Sequence, residues 1–269
     1  MKREGKINDR TLLNIFMVLF FISFISLYLM LDKYIVNPAD EIVNVTHVID
    51  GDTIKIIGEN EEERTIRFLG INCAEKGMDY YDNAKLFLEG LIGGKEISLV
   101  KDKNSPDEDK YHRELRYVYF EGKFVNKLLI ENGLANVYIL EPIEKEKELR
   151  EAWSECLKNE RNLCKYSEEK CVDCIVVDKI EKFEEYLVLR NRCEFECNLT
   201  GWSIKDEGRN MYFFPEFTLP SKGEITLSSE SGEDNLNELF MGLGEVWTES
   251  GDSLFLRDNE GKLVLYYNY

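Results

Sequence analysis

The sequence has 269 residues, of which 43% are hydrophobic and 32% are charged, and its formal net charge is −18. This length allows two ordinary domains in addition to a short terminal segment. The acidic balance argues against a protein that binds duplex nucleic acid tightly through a broad basic surface, because such binding depends on neutralising many phosphates. Any nucleic-acid chemistry must therefore rest on a few local cations or on a metal ion.

The first element along the chain is an uncharged apolar run, TLLNIFMVLFFISFISLYLM, at residues 11–30. It is long enough to cross a bilayer as a helix. A cleaved signal peptide is the alternative, but the run exceeds the usual apolar core and no small-x-small site follows it. Four basic residues precede the run and only Lys33 lies close behind it. The pattern predicts a cytoplasmic tail at 1–10, a transmembrane anchor at 11–31 and a globular part outside the cell membrane.

The next region, residues 41–166, alternates strands with short helices. Apolar spacing predicts three helical faces, at 84–91, 125–129 and 149–157. Five runs rich in β-branched and aromatic residues predict strands, at 43–49, 53–57, 64–71, 96–101 and 115–120. Five strands with interspersed helices are typical of a small barrel, and the OB-fold is the natural candidate.

Several charged residues lie within or close to these predicted strands. Asp50 and Asp52 flank Gly51 inside a β-branched run, and we assign Asp50 to the turn that the Asp-Gly pair forms. Arg67, Glu75 and Arg113 follow along the chain. Each alone is typical of a solvated or ion-paired side chain.

Together, these residues lie in motifs that resemble the staphylococcal nuclease (thermonuclease) family: VIDGDTIKI, IRFLGINCAEK, DKYHRELRYVY and VNKLLIENGLANVY. The resemblance covers residues 43 to 140 and implies an OB-fold enzyme that hydrolyses DNA and RNA with calcium. Motif by motif, it implies a catalytic set, a metal-binding set and two residues beside the substrate phosphate. The catalytic set is Arg67, Glu75 and Arg113. The metal-binding set is Asp52, Asn72 and the backbone carbonyl of Cys73. The residues beside the phosphate are Lys110 and Tyr111.

This chemistry needs those residue types. Two guanidinium groups can meet the charge that builds up on a phosphodiester in the transition state, and a hard cation adds fixed positive charge. Glu75 is suited to act as the general base for water. Asn72 stands where the family most often has aspartate, so the cation should bind more weakly, or another divalent ion should serve. His112 stands where the family has glycine and is interpreted as a surface loop residue.

The last region, residues 171–269, consists of strand pairs separated by Gly and Pro turns at the spacing of an all-β sandwich. The segments NLTGWSIKD, FPEFTL and GDSLFLRD resemble the lamin tail domain. That resemblance implies an immunoglobulin-like β-sandwich that binds or positions a partner whose identity the sequence does not reveal. We find no catalytic constellation in this region.

Seven cysteines leave two chemistries open. Four of them, at the spacings C-x2-C and C-x3-C, approach a four-thiolate zinc site: Cys171, Cys174, Cys193 and Cys197. Outside the cell disulfides are the better interpretation. Without Cys73, six cysteines remain, and Cys156 and Cys164 are the other two. Six cysteines are enough for three disulfides, but the sequence does not determine which cysteines pair.

The sequence thus predicts a mainly β (α+β) protein with one membrane helix, an OB-fold barrel and a sandwich. The expected function is a membrane-anchored, extracytoplasmic nuclease that acts on DNA and RNA and leaves 3′-phosphate ends. The alternative is a barrel with weakened chemistry that acts as a nucleic-acid or protein-binding adaptor at the cell surface.

Overall fold

A computed structural model of the chain describes residues 16–21, 23–25, 40–58, 61–248, 251 and 253–269. Residues 16–21 and 23–25 are helical and belong to the unit Met1–Asp40, whereas Glu41–Tyr269 forms a second compact unit. Most of the expected anchor at 11–31, and the whole tail at 1–10, lie outside the described residues. Among the residues that are described, no helix is both long and apolar enough to cross a membrane.

The first part of the compact unit is a closed five-stranded barrel, as the sequence predicts. Its sheet runs β3-β2-β1-β5-β6, and a parallel pairing of β3 with β6 closes it. The barrel strands are β1 (Glu41–Val48), β2 (Thr53–Ile57), β3 (Glu63–Phe68), β5 (Glu96–Val100) and β6 (Glu114–Phe120). Alternating β-branched residues fill the interior: Val43 and Val45 of β1 and Ile54 and Ile56 of β2 are buried.

Short elements complete this part. The strands β4 (Ile71–Cys73) and β8 (Ala135–Val137) pair antiparallel beside the barrel, and β7 (Lys123–Phe124) pairs with the end of β6. The three predicted helices are present as α1 (Tyr81–Ile92), α2 (Val125–Glu131) and α3 (Glu146–Asn159), and a 3₁₀ turn follows at Asn162–Cys164. Gly93 and Gly133 follow the ends of the first two helices, and their N–H groups donate to carbonyls of the preceding turn.

The second part contains two four-stranded sheets that share one hydrophobic core. Their orders are β16-β15-β10-β9 and β13-β12-β17-β18, and β11 pairs with β14. The strand bounds are β9 (Ile175–Glu181), β10 (Tyr186–Asn191), β11 (Cys197–Asn198), β12 (Ser203–Lys205), β13 (Met211–Phe213), β14 (Thr218–Leu219), β15 (Glu224–Ser228), β16 (Glu238–Phe240), β17 (Ser253–Arg257) and β18 (Leu263–Asn268). Most pairings are antiparallel, but β15 and β16 run parallel.

The two parts pack against each other through an aromatic cluster. The ring of Trp153 on α3 meets Phe255 of β17 edge-on at 5.4 Å and lies 5.7 Å from the ring of Tyr266 on β18. The backbone of the connecting segment also pairs with β18, because Leu263 donates to the Lys165 carbonyl at 2.8 Å. The second part is thus held on the barrel by apolar packing and by backbone hydrogen bonds.

Six cysteines form three disulfides. Cys156 bonds Cys164 at the end of α3, and two nested bridges join Cys171 to Cys197 and Cys174 to Cys193. The four cysteines for which zinc was the alternative are therefore paired as two disulfides. Cys73 is a buried thiol, and burial raises its pKa well above the usual value.

Candidate active site

The register of the barrel brings Asp52 and Arg67 together. Thr53 at the start of β2 pairs with Arg67 on β3, so the residue before it lies beside the guanidinium. The Nε atom of Arg67 lies 3.2 Å from Oδ1 of Asp52, and both side chains are buried. The same guanidinium donates to the Phe68 carbonyl at 2.7 Å and to the amide oxygen of Asn72 at 3.2 Å. These contacts hold Arg67 in one orientation at the barrel end.

The Asp50-Gly51 turn holds Asp52 in place. The Asp52 backbone N–H donates to the Asp50 carboxylate at 3.0 Å, which confirms the turn assigned to Asp50. Burial and the neighbouring Asp52 raise the pKa of Asp50 to about 6. A Cβ on Gly51 would lie 2.6 Å from the Cβ of Ala84 and 2.7 Å from the Cys73 sulfur, so only glycine fits here. Asp52 then receives the Cys73 N–H at 2.7 Å.

Arg113 lies at the end of an acidic loop, one residue before β6. Asp109 positions it, accepting from its Nε at 2.7 Å and lying 2.6 Å from its Nη2. Burial opposes ionisation of Asp109, but the hydrogen bonds from Arg113 and from the loop backbone outweigh it and keep the pKa of Asp109 below its usual value. His112 occupies the left-handed region at φ 60° with an exposed side chain, consistent with the surface role expected from the sequence.

A cavity of about 470 Å³ brings together all three basic residues of the predicted site and Tyr111. Arg67, Arg113, Lys110 and Tyr111 all line it. The Tyr111 ring stands 5.2 Å from the Lys110 ammonium and 5.4 Å from the Arg113 guanidinium. Because β3 and β6 pair in parallel, with Ile66 opposite Glu114, Arg113 lies at the same barrel end as Arg67.

The other predicted site residues lie outside the cavity lining. Asp52 and Asn72 lie behind Arg67 and contact its guanidinium, and Cys73 lies behind Asp52. Glu75 does not line the cavity, and its carboxylate pairs with Arg209 of the second part, which does line it.

No motif in the sequence indicates this contact between Glu75 and Arg209. A loop of the second part, residues 206–210 with the sequence DEGRN, lies against the predicted site. The Nδ2 atom of Asn72 donates to the Gly208 carbonyl at 2.8 Å, and the Nδ2 atom of Asn136 donates to the Glu207 carbonyl at 3.0 Å. Asn72 and Asn136 are register partners on β4 and β8, so the two strands present both amides on one face. We call residues 206–210 the docking loop.

The oxygens around Arg67 also bear on metal binding. In the described part of the chain, no group of three or more His, Cys, Asp or Glu side chains converges as a metal site. The Asp52 and Asn72 oxygens both contact the Arg67 guanidinium, each at 3.2 Å from one of its nitrogens. Carboxylate and amide oxygens are ligand types that Ca²⁺ and other hard divalent cations take, so the donor chemistry of these residues fits such an ion.

Family comparisons agree with this fold. Residues 65–166 match the family described as Staphylococcal nuclease homologue, and residues 171–269 match the Lamin Tail Domain. Endonuclease YncB of Bacillus subtilis (strain 168) is 38% identical over 111 residues, which cover 38% of this chain and 52% of the relative. An uncharacterized endonuclease of Escherichia coli O157:H7 is 32% identical over 117 residues, which cover 43% of this chain and 73% of the relative.

A third relative, the SPbeta prophage-derived endonuclease YokF of Bacillus subtilis (strain 168), is 37% identical over 131 residues, or 44% of each chain. The chain spans about half the length of these Bacillus relatives. The closed five-stranded barrel is of the OB-like class. This chain belongs to the staphylococcal nuclease homologue family, and a lamin tail domain follows its nuclease homologue domain.

Proposed function

We propose that this protein is a nuclease that hydrolyses phosphodiester bonds of DNA and RNA in the cavity at the barrel end. The observation that carries the proposal is the convergence of Arg67 and Arg113 on one cavity, each fixed by a carboxylate behind it. Two fixed guanidinium groups suit a phosphate whose negative charge increases in the transition state. The endonuclease names of the relatives support the same reaction class.

Each residue has a distinct role in this proposal. Arg67 and Arg113 bind the non-bridging phosphate oxygens, and Lys110 and Tyr111 contact a neighbouring phosphate. Glu75 takes a proton from the attacking water or orients that water. Its carboxylate is 55% exposed, so water has access to it. Attack in this arrangement would expel the 5′ oxygen and leave a 3′-phosphate and a 5′-hydroxyl.

The proposed cofactor is Ca²⁺ or another divalent cation. Asp52, the amide oxygen of Asn72 and the backbone carbonyl of Cys73 would hold it. When bound, it supplies fixed positive charge beside the phosphate. With one formal negative charge among these ligands, binding is weak, so we expect activity to need millimolar rather than micromolar calcium.

We further propose that the globular part lies outside the cytoplasm, anchored by the apolar run at 11–31. Three disulfides support an oxidising compartment, and the basic residues before the run support an inside amino terminus. In that location the protein would degrade external nucleic acid, and the lamin tail domain, as an immunoglobulin-like sandwich, would bind a further partner. Protease added to intact cells should remove the globular part; full protection would contradict this orientation.

A nuclease assay with Glu75→Gln tests the proposed reaction. The purified chain should cleave single-stranded DNA and RNA at millimolar calcium and stop when a chelator is added. Glu75→Gln should lower the rate about 10²- to 10⁴-fold, because the general base is lost. The matched control is Glu96→Gln, which removes an exposed carboxylate from β5 and should leave the rate unchanged.

Two results would contradict the proposal. Full activity in Glu75→Gln would remove the proposed mechanism. An unaltered chain that binds oligonucleotides without cleaving them at millimolar calcium would instead support the adaptor. The ends are read separately: a 5′-hydroxyl product accepts label from polynucleotide kinase without prior phosphatase treatment.

A further inference from the structure

We propose that Arg209 of the lamin tail domain is a substrate-binding residue of the nuclease site and contacts a phosphate of the bound nucleic-acid strand. The inference rests on the proposed function, because it concerns the same cavity. Arg209 lines that cavity together with Arg67 and Arg113. The second domain therefore supplies a third guanidinium to the cavity that the barrel forms.

The position of Arg209 is set by contacts on both sides of the docking loop. Within the loop, the Asp206 carboxylate accepts from the Asn210 backbone at 3.0 Å and from its side chain at 2.8 Å. Toward the barrel, Gly208 packs closely enough that a Cβ there would lie 3.4 Å from the Tyr138 ring. The loop is thus a fixed turn, and Arg209, the residue after Gly208, lines the cavity.

A buried carboxylate anchors the same loop. Glu207 accepts from Arg150 of α3 at 3.2 Å, from the Ile139 backbone at 3.2 Å and from the Ser253 hydroxyl at 2.6 Å. These donors come from both domains. Such a fixed loop is suited to hold a binding residue, because little ordering is needed when substrate arrives.

Asn72 accounts for the close approach of the loop to the site. Its amide oxygen accepts from Arg67 while its NH₂ group donates to the Gly208 carbonyl. An aspartate has only acceptor oxygens when ionised, and it would repel that carbonyl at 2.8 Å. The departure from the family pattern at position 72 is therefore matched to a docked lamin tail domain.

The ion pair with Glu75 leaves Arg209 available to substrate. Its Nε lies 3.0 Å from the Glu75 carboxylate, and the two side chains are 52% and 55% exposed. A pair this exposed to solvent is weak, so a phosphate can compete for the guanidinium. A phosphate bound to Arg209 would also lie close to Glu75, the proposed base.

Oligonucleotide binding in the Glu75→Gln background tests the proposal. This background slows hydrolysis and removes the carboxylate that Arg209→Gln would otherwise leave unpaired. For a single-stranded oligonucleotide of about 12 nucleotides at millimolar calcium, Arg209→Gln should weaken binding about five- to tenfold. The slope of log K against log salt should fall by about 0.7, and Arg209→Lys should restore most of it.

The matched control is Arg190→Gln, which removes an arginine from β10 that pairs with Asp178 and Glu224 and does not line the cavity. Its affinity and salt slope should equal those of the background. An Arg209→Gln variant with unchanged affinity and slope, or with tighter binding, would overturn the inference; tighter binding would indicate that Arg209 blocks the site. This experiment measures binding and not cleavage. A chain that never cleaves nucleic acid would therefore contradict the proposed function, and the role of Arg209 would still be decided by the affinities.

Discussion

Replacing Arg67 by lysine should lower the rate of DNA hydrolysis about 10²- to 10³-fold. The side chain of Arg67 meets three acceptors, on Asp52, Phe68 and Asn72, through three different nitrogens. Lysine keeps the charge but has a single nitrogen, so it cannot keep these contacts and also face the phosphate. The measurement is kcat and KM on a single-stranded substrate, with a circular dichroism melt to verify folding.

Arg64→Lys is the matched control for this change. Arg64 lies on the same strand β3 and is also held by carboxylates, with Glu41 and Glu114 each 2.6 Å from it, but it does not line the cavity. The control should lose some stability and keep its rate. Equal rate losses in the two variants would show that the effect arises from damage to the barrel rather than from the phosphate site.

Replacing Glu207 by alanine should destabilise the protein by about 3 kcal/mol. The change removes a buried carboxylate and leaves the Arg150 guanidinium, the Ile139 N–H and the Ser253 hydroxyl without this partner. The Nε atom of Arg150 would still lie 2.9 Å from the Glu146 carboxylate. Because this partner remains, the loss in the free energy of unfolding should be near the lower end for a broken buried ion pair. Denaturant unfolding of the whole chain measures the change.

The same variant should also release the docking loop from its contacts with the barrel. Arg209 would then lose its position in the cavity, so KM for the nucleic acid should rise. Glu224→Ala is the control, because Glu224 is a largely exposed carboxylate on β15 of the same domain. It should change stability by less than about 0.5 kcal/mol. A stable Glu207→Ala variant would mean that the docking loop does not depend on this carboxylate.

The barrel and its helices could be predicted because their signals are local. The alternation of Val43 and Val45 in β1, and the spacing of Ala84 and Leu88 in α1, depend on neighbours in sequence and correspond to buried faces in the structure. The positions of Arg67 and Arg113 in one cavity followed from the family motifs. The single strand predicted at 64–71 is divided by a turn at Gly70, with φ 80°, into β3 and β4. The strands β7 and β8 could not be predicted, because two or three residues carry no periodicity.

The contact between the domains could not be predicted in the same way. Asn72 and Gly208 are 136 positions apart, and neither stands in a pattern that indicates the other. The composition of the DEGRN segment is typical of an ordinary polar turn, although Arg209 within it pairs with Glu75. The spacing of the cysteines also left zinc and disulfides open, since only the fold decides that Cys171 meets Cys197 and Cys174 meets Cys193.

Combining Arg113→Gln with Glu75→Gln tests most directly whether one guanidinium and one carboxylate serve the same phosphate. If they act as a unit, each single variant should be strongly impaired and the double variant should be little slower than the worse single one. The measurement is the single-turnover cleavage rate of the four proteins at saturating calcium and substrate. Rate losses that multiply in the double variant, or a single variant with the unaltered rate, would contradict the shared site.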